Sequence, residues 1–347
     1  MYNKLFENAA KDIQTTRSIV RINQKLREIK SKELELNSQS KLLEELINII
    51  PTEQEWMVYE HCSIVTRLYS IYESFVENII NKWIERLPTI IDNYSALDEK
   101  FRRSHAEKVG DLISKSCKTK GGFQDSSVKD MIEGLYQGVT GSPNYTLWQN
   151  AFSSHENNIR EKILGDLFNN ANICDQTWIW INKHPKIIQF FQGEGTAAGK
   201  LEDFIEYRND ASHSNSKKDR SSLLNSNLLL EMCDFIEILC FSLLELVIYQ
   251  TFEKQKQHGI VKEIGTIKRW FSKRKVAEIK LNQEISLSLS DRIYLTGDAY
   301  LQMAEIENLR VDSVDVLTKI VSGEMKVEVK LDVDARERLR IYQIYKS

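Results

Sequence analysis

The sequence predicts a mainly helical protein that ends in a small all-β antiparallel barrel. Up to about residue 257 the apolar residues recur at intervals of three and four. Beyond His258-Gly259 they alternate with polar residues in short runs separated by turn signals. The length of 347 residues is enough for two domains, each with its own core. The expected division is a helical extension over 1–50, a helical bundle over 51–257 and the barrel over 258–347.

Composition narrows the class. A hydrophobic content of 41% with 28% charged residues fits a soluble globular chain, and the formal charge of −3 gives no overall pull towards nucleic acid. A local basic groove can still act within an acidic whole. The five cysteines (Cys62, Cys117, Cys174, Cys233, Cys240) are widely spaced without a C-x-x-C pair, so reduced thiols are expected, not a disulfide framework or zinc site. The start lacks the apolar core of a signal peptide. The greasiest stretch, Ile236 to Tyr249, contains Glu237 and Glu245 and is too short to span a bilayer. A cytoplasmic protein with no membrane partner is expected.

In chain order, Phe6, Ile13, Ile19, Val20, Ile22, Leu26 and Ile29 give the extension an imperfect apolar stripe, and Leu42, Leu43, Leu46, Ile47 and Ile50 give it a tighter one. Pro51 ends this unit. Thr52 and Glu55 have capping-box spacing and open the clearest helix. Its apolar face runs from Trp56 and Tyr59 through Leu68, Tyr69, Tyr72 and Phe75 to Trp83, and stops at Leu87-Pro88. A charged helix over 96–116, a broken stretch with a short helix over 128–136, and a helix over 155–171 follow. Trp178-Ile179-Trp180-Ile181 before His184-Pro185 reads as a buried short element and a turn. Gly193, Gly195 and Gly199 follow no strand and lead to no Gly-Lys-Ser/Thr, so they mark an approach to the next helix, not a phosphate loop. The last helix is expected over about 221–256. In the barrel, the alternating runs are Ile264–Ile267, Val276–Leu281, Asp291–Gly297, Leu301–Ile306 and Met325–Leu331.

One stretch carries chemistry. Arg208-Asn209-Asp210-Ala211-Ser212-His213 sits where Leu201, Phe204 and Ile205 give way to a polar string. On a continued helix Asn209 and His213 share a face and Arg208 lies beside them. A permanent cation, an amide and an imidazole at an open edge suit phosphodiester chemistry. They are also ordinary residues for a helix end, where the macrodipole favours histidine. Spacing alone leaves both readings open. The remaining histidines show no metal-ligand spacing, and no metal site is expected.

This string resembles the R-N-x-x-x-H form of the R-x4-6-H motif of the HEPN superfamily. Leu68 to Glu77, and Asn157-Asn158-Ile159-Arg160 with Leu164, Leu167 and Phe168, resemble the early and middle elements of its RiboL-PSP/MAE branch. The resemblance spans roughly 50–255. It implies an HEPN-type helical bundle and a metal-independent endoribonuclease without a cofactor, acting as a homodimer in which each copy contributes Arg208 and His213. Arg208 would stabilise the charge of a pentacoordinate phosphorus, and His213 would move a proton, giving a 2′,3′-cyclic phosphate. Asn209 would orient the imidazole or the turn. Asp210 would tune or cap, and Glu202 and Asp203 would support the site or serve as plain helix surface. A toxin, stress or antiphage setting follows, with an antitoxin or defence partner protein. A related group places a partner-modified tyrosine two residues after the histidine; Asn215 stands there here, which argues against that control.

The barrel pattern over 260–345 resembles domain II of translational GTPases such as elongation factor Tu, which implies tRNA or ribosomal RNA as the RNA met. No Walker A loop exists, so GTP hydrolysis is not expected. Lys268, Arg269, Lys273, Arg274 and Lys275 beside Trp270-Phe271 make either an RNA contact or a solvated hairpin. The alternative function is a non-catalytic RNA- or ribosome-binding dimeric scaffold.

Overall fold

Thr52 opens the helix on which the first unit is built. Its hydroxyl accepts from Glu55 N at 3.3 Å, and the Glu55 carboxylate accepts from Thr52 N at 3.0 Å, the reciprocal capping box read from the sequence. The computed structural model describes residues 2–33, 45, 49–118, 125–142, 145–212, 223–297 and 300–345. The chain divides into two compact units, Met1–Val247 and Ile248–Ser347.

The described helices of the first unit are α1 (Tyr2–Glu33), α2 (Glu53–Arg86), α3 (Glu99–Lys118), α4 (Asp125–Val139), α5 (Asn150–Ser153), α6 (Glu161–Asn170), α7 (Thr177–Lys183), α8 (Pro185–Phe191), α9 (Ala197–Ser212) and α10 (Ser226–Gln257), whose last turns belong to the second unit. Leu68, Tyr72, Val76, Ile79, Ile80 and Trp83 of α2 are buried, and Trp83 Nε1 donates to Ala171 O at 2.8 Å. Tyr59, expected on that face, is 74% exposed. Glu60 and His61 face inward instead, because neighbours supply polar partners: Arg27 Nη1 pairs with Glu60 at 2.7 Å, and Leu224 N donates to His61 Nδ1 at 3.1 Å.

α1 packs along α2 and buries Ile13 and Val20, but Ile19, Ile22 and Ile29 are exposed, so the expected stripe is not one face. Arg17 joins α1 to α10 through Asp234 at 2.7 Å and Glu237 at 2.5 Å. In the second stripe, Leu42, Leu43, Leu46 and Ile47 lie outside the described residues. α7 buries Ile181 and leaves Trp178 and Trp180 half-buried, with Ile179 exposed. Gln192, Gly193 and Gly195 adopt positive φ, ending α8 and turning the chain, and Thr196 Oγ1 caps α9 by accepting from Gly199 N at 3.1 Å. Among the described residues no helix is long and apolar enough to cross a membrane. Cys62, Cys174, Cys233 and Cys240 form no disulfide with one another, and burial pushes the Cys233 thiol up to about 12. The Cys117 side chain lies outside the described residues.

The expected helix over 155–171 begins only at Glu161. Residues 154–160 are not helical, with a bend at 156–157, because the backbone groups of Ile159 are engaged elsewhere: Ile159 N donates to Tyr69 Oη at 3.2 Å and Ile159 O accepts from Tyr72 Oη at 3.2 Å. Tertiary hydrogen bonds thus outcompete the local helical ladder.

In the second unit, β1 (Val261–Phe271), β2 (Val276–Leu281), β4 (Arg292–Gly297), β5 (Tyr300–Val311), β8 (Val327–Leu331) and β9 (Arg340–Ile344) pair antiparallel in the order β4-β9-β1-β2-β8-β5. The β4–β5 pairing closes this ring into a six-stranded barrel, β6 (Val314–Val316) extends β5, and β3 (Ile285–Ser288) pairs with β7 (Thr318–Val321). Gly265 is required at the β1–β2 contact, where a Cβ would lie 2.1 Å from Lys280 O. Phe252 of α10 packs edge-on against Tyr294 and Tyr342, and Tyr294 Oη donates to Gln255 Oε1 at 3.0 Å.

His105 of α3 makes the first unit sensitive to acid. It is buried, its Nε2 accepts from Trp148 N at 3.3 Å, and its Nδ1 lies 3.1 Å from Tyr94 Oη. Burial drives the imidazole down to about 4 from an ordinary value of 6.5. Below pH 6.5 the unfolded chain binds the proton and the fold does not, so stability is complete above pH 6.5 and declines as pH falls towards 4. The expected loss is about 3 kcal/mol. Urea unfolding between pH 7.5 and 4.5 should show this slope, and His105→Gln should remove that part of it.

Candidate functional site

Leu201, Phe204 and Ile205 bury one face of α9 against α2. Arg208 and Asn209 lie three and four positions beyond Ile205, so helical spacing brings them to the rim of the same contact. There Arg208 lays its guanidinium over the Tyr69 ring, with Cζ 4.7 Å from the centroid. Nη1 makes a long 3.4 Å contact to Asn209 Oδ1, and the buried Nε has no hydrogen-bond partner among the described residues. A guanidinium carries five donors, and among the described residues only the Nη1 contact is made, so the Nη edge and not the buried Nε is the side that suits an anion. Ser212 Oγ donates to Arg208 O at 3.0 Å and closes the last turn.

Asn209 is held from the opposite side. Asn158 Nδ2 donates to Asn209 Oδ1 at 2.6 Å. Asn158 belongs to the non-helical strap over 154–160, which is pinned to both helices. On α2, Tyr69 Oη accepts from Ile159 N and donates to Glu73 Oε1 at 2.8 Å. On α9, Glu202 pairs with Arg160 and accepts from Glu161 N at 3.0 Å. Burial, reinforced by the hydrogen bond to Glu73, raises the Tyr69 phenol above its ordinary range, so its hydroxyl remains a donor at neutral pH.

Of the residues picked from sequence, Arg208, Asn209 and Glu202 therefore come together. Glu202 serves the strap. Asp203 and Asp210 are exposed. His213 lies outside the described residues, but the chain on either side of it is anchored at one side chain: Tyr207 packs edge-on against His61 at 5.8 Å, and Leu224 N donates to His61 Nδ1. Periodicity makes Tyr69 a core residue of its helix and assigns Asn158 and Glu73 no part in the site; an Asn-Asn-Ile-Arg run at a helix start and a carboxylate four residues after a tyrosine are the available signals.

The basic residues belong to the second unit. β1 bulges between Ile267 and Arg269, which lets Lys268 and Arg269 both reach Glu278 of β2, at 3.1 and 2.6 Å. Burial acts upward on the Glu278 carboxyl, but these two cations hold it below the usual range. Trp270 packs on the barrel core and Lys275 donates to Asp332 O at 3.2 Å. Lys273, Arg274 and Phe271 remain exposed at the turn. Among the described residues no group of three or more His, Cys, Asp or Glu could hold a metal ion.

A helical domain that presents an arginine and an amide at the end of a helix, beside a tyrosine-rich core helix, has the form of a HEPN domain. The chain belongs to the RiboL-PSP-HEPN family, whose profile matches residues 22–249. HEPN domains are often ribonucleases, so a nuclease is among the functions open to it. Neither a curated protein nor a solved structure matches the chain.

Removing the charge of Glu202 should loosen the strap without unfolding the bundle. In Glu202→Gln, amide hydrogen exchange at Ile159 and Glu161 should quicken roughly tenfold, the effect of losing about one charge-assisted hydrogen bond at a part-exposed site.

Proposed function

We propose that the helical domain is a metal-independent endoribonuclease. The ribose 2′ oxygen bonds to phosphorus while the bond to the 5′ oxygen breaks. One proton leaves the 2′-hydroxyl and one joins the departing 5′ oxygen, leaving a 2′,3′-cyclic phosphate. Arg208 takes the non-bridging phosphoryl oxygens, and its charge matters most as phosphorus becomes pentacoordinate. His213 handles a proton, a task its side chain suits near neutrality. Asn209, held by Asn158, sets the Arg208 fork instead of acting on substrate. Two copies face each other across a homodimer, so each scissile phosphate meets more than one cation.

The observation that carries this reading is the Arg208 guanidinium, laid over Tyr69 with only a long Nη1 contact to Asn209 spending its Nη donors among the described residues. The barrel's pattern, similar to elongation-factor domain II, supports tRNA or ribosomal RNA as the target class, a fold-level analogy. A toxin, stress or antiphage role, restrained by an antitoxin or defence partner, fits the family setting.

The second reading is a non-catalytic RNA-binding scaffold. Exposed Lys273 and Arg274 beside Phe271, itself 42% exposed, favour it, since they suit phosphate contact with stacking. One experiment separates the two. Purified protein incubated with total RNA and a chelator should cleave it, and Arg208→Ala and His213→Ala should each slow cleavage by at least ~100-fold. Cleavage unchanged in both variants would falsify the nuclease site. Salt-sensitive binding without cleavage by the unaltered chain would establish the scaffold.

A further inference from the structure

A cavity of about 330 Å³ is lined by residues of α3, the strap and α6, within the range of ~300–1,000 Å³ typical of small-molecule sites. Asn157 lines it, while the side chain of the next residue, Asn158, holds Asn209 beside Arg208. One residue of strap therefore separates the cavity from the cluster around Arg208. Leu112 of α3 and Ile163 and Leu167 of α6 give the cavity apolar surface. Asp166 and Asn170, one turn apart on the same face of α6, give it polar groups.

Most of the charge in this lining is already answered. Lys115 pairs with Glu156 at 2.6 Å, and Asp111 acts on Lys108. The side chains of Asp166 and Asn170 make no hydrogen bond or ion pair among the described residues. Of the Lys, Asp and Glu side chains around the cavity, Asp166 is the one left uncompensated. A free carboxylate repels phosphate and can only accept hydrogen bonds, so it selects a ligand edge that carries N–H donors. Single-stranded RNA offers such edges when a base is splayed out. The Watson–Crick edge of guanine sets two N–H donors, at N1 and N2, side by side, which matches the two oxygens of one carboxylate. Adenine and cytosine place a bare ring nitrogen beside their amino group, and its lone pair would face the second oxygen. Uracil has one N–H between two carbonyls.

We propose that this cavity is a nucleobase subsite, which takes the guanine of a nucleotide next to the phosphate held at Arg208. Asp166 accepts from guanine N1–H and N2–H, the Asn170 amide donates to O6, and the apolar side chains cover the ring. The strap then serves both ends of one nucleotide, with Asn157 beside the base and Asn158 behind the Arg208 fork. Cleavage falls beside guanines.

This assignment rests on the reading of Arg208 as the RNA-acting group, but its first test needs no cleavage. Titrating the intact protein with guanosine monophosphate should shift the amide NMR signals of Asp166 and Asn170. Adenosine, cytidine and uridine monophosphates should leave them in place, and Asp166→Asn should remove the guanosine response. Asp166 is exposed, so that substitution leaves the core untouched. The second test uses short RNAs that contain one guanine. Replacing it by inosine, which lacks the N2 amino group, should lower kcat/KM about tenfold, the effect of one charge-assisted hydrogen bond. In Asp166→Asn the guanine and inosine RNAs should be cut alike. Equal shifts with all four nucleotides, or a guanine preference that survives Asp166→Asn, would overturn the subsite. Base-blind cleavage that still depends on Arg208, with no guanosine response, would also overturn it and leave the nuclease reading standing. An Asp166-dependent guanosine response in a chain that cuts no RNA would keep the subsite and remove the nuclease.

Discussion

Tyr69 holds two elements at once, and the rest of the candidate site follows from that double grip. Its ring face takes the Arg208 guanidinium from α9, and its hydroxyl takes the Ile159 amide from the strap while donating to Glu73. Cation–π contact fixes the plane of the guanidinium without consuming its donors. A carboxylate in the same position would have bound those donors and cancelled the charge. The aromatic partner leaves an oriented, charged and partly unsatisfied fork at the edge of the bundle.

Polar residues on the inward side of α2 have a common explanation. Glu60 and His61 interrupt the apolar face, and each meets a partner from another element: Arg27 of α1 and the backbone just before α10. Glu73 instead accepts from Tyr69 on the same helix, whose hydroxyl holds the strap. Burying such groups costs stability unless they are paired. The sites where α2 departs from a simple apolar pattern are therefore the sites where it orders its neighbours. His61 packs edge-on against Tyr207 and accepts from Leu224 N, so α2 holds the end of α9 and the chain just before α10 at one side chain.

Much of the fold was legible in periodicity. The capping box at Thr52 and Glu55, the run from Leu68 to Trp83, and the change from helical to alternating pattern near His258 rest on local rules that the structure obeys. The misreadings fall where long-range partners decide. Apolar spacing alone made 155–160 helical, yet Tyr69 and Tyr72, about ninety residues earlier, claim the Ile159 amide and carbonyl. The basic turn looked like one cluster, but a bulge delivers Lys268 and Arg269 to Glu278 and leaves only part of the charge at the surface. Arg208 and Asn209 could be picked out by type and spacing. Asn158 as their support could not, because the pairing spans fifty-one positions.

The reading of function depends on geometry more than on charge at position 208. Lysine keeps a positive charge there but has no planar fork to lie on Tyr69 and no second donor set to span two phosphoryl oxygens. Single-turnover cleavage of RNA by Arg208→Lys is the most direct measurement of that dependence. A rate at least ~100-fold below that of the unaltered chain is expected from the loss of an oriented donor set. A rate within a few-fold of it would show that any cation suffices there, and the stacked guanidinium would lose its place in the account.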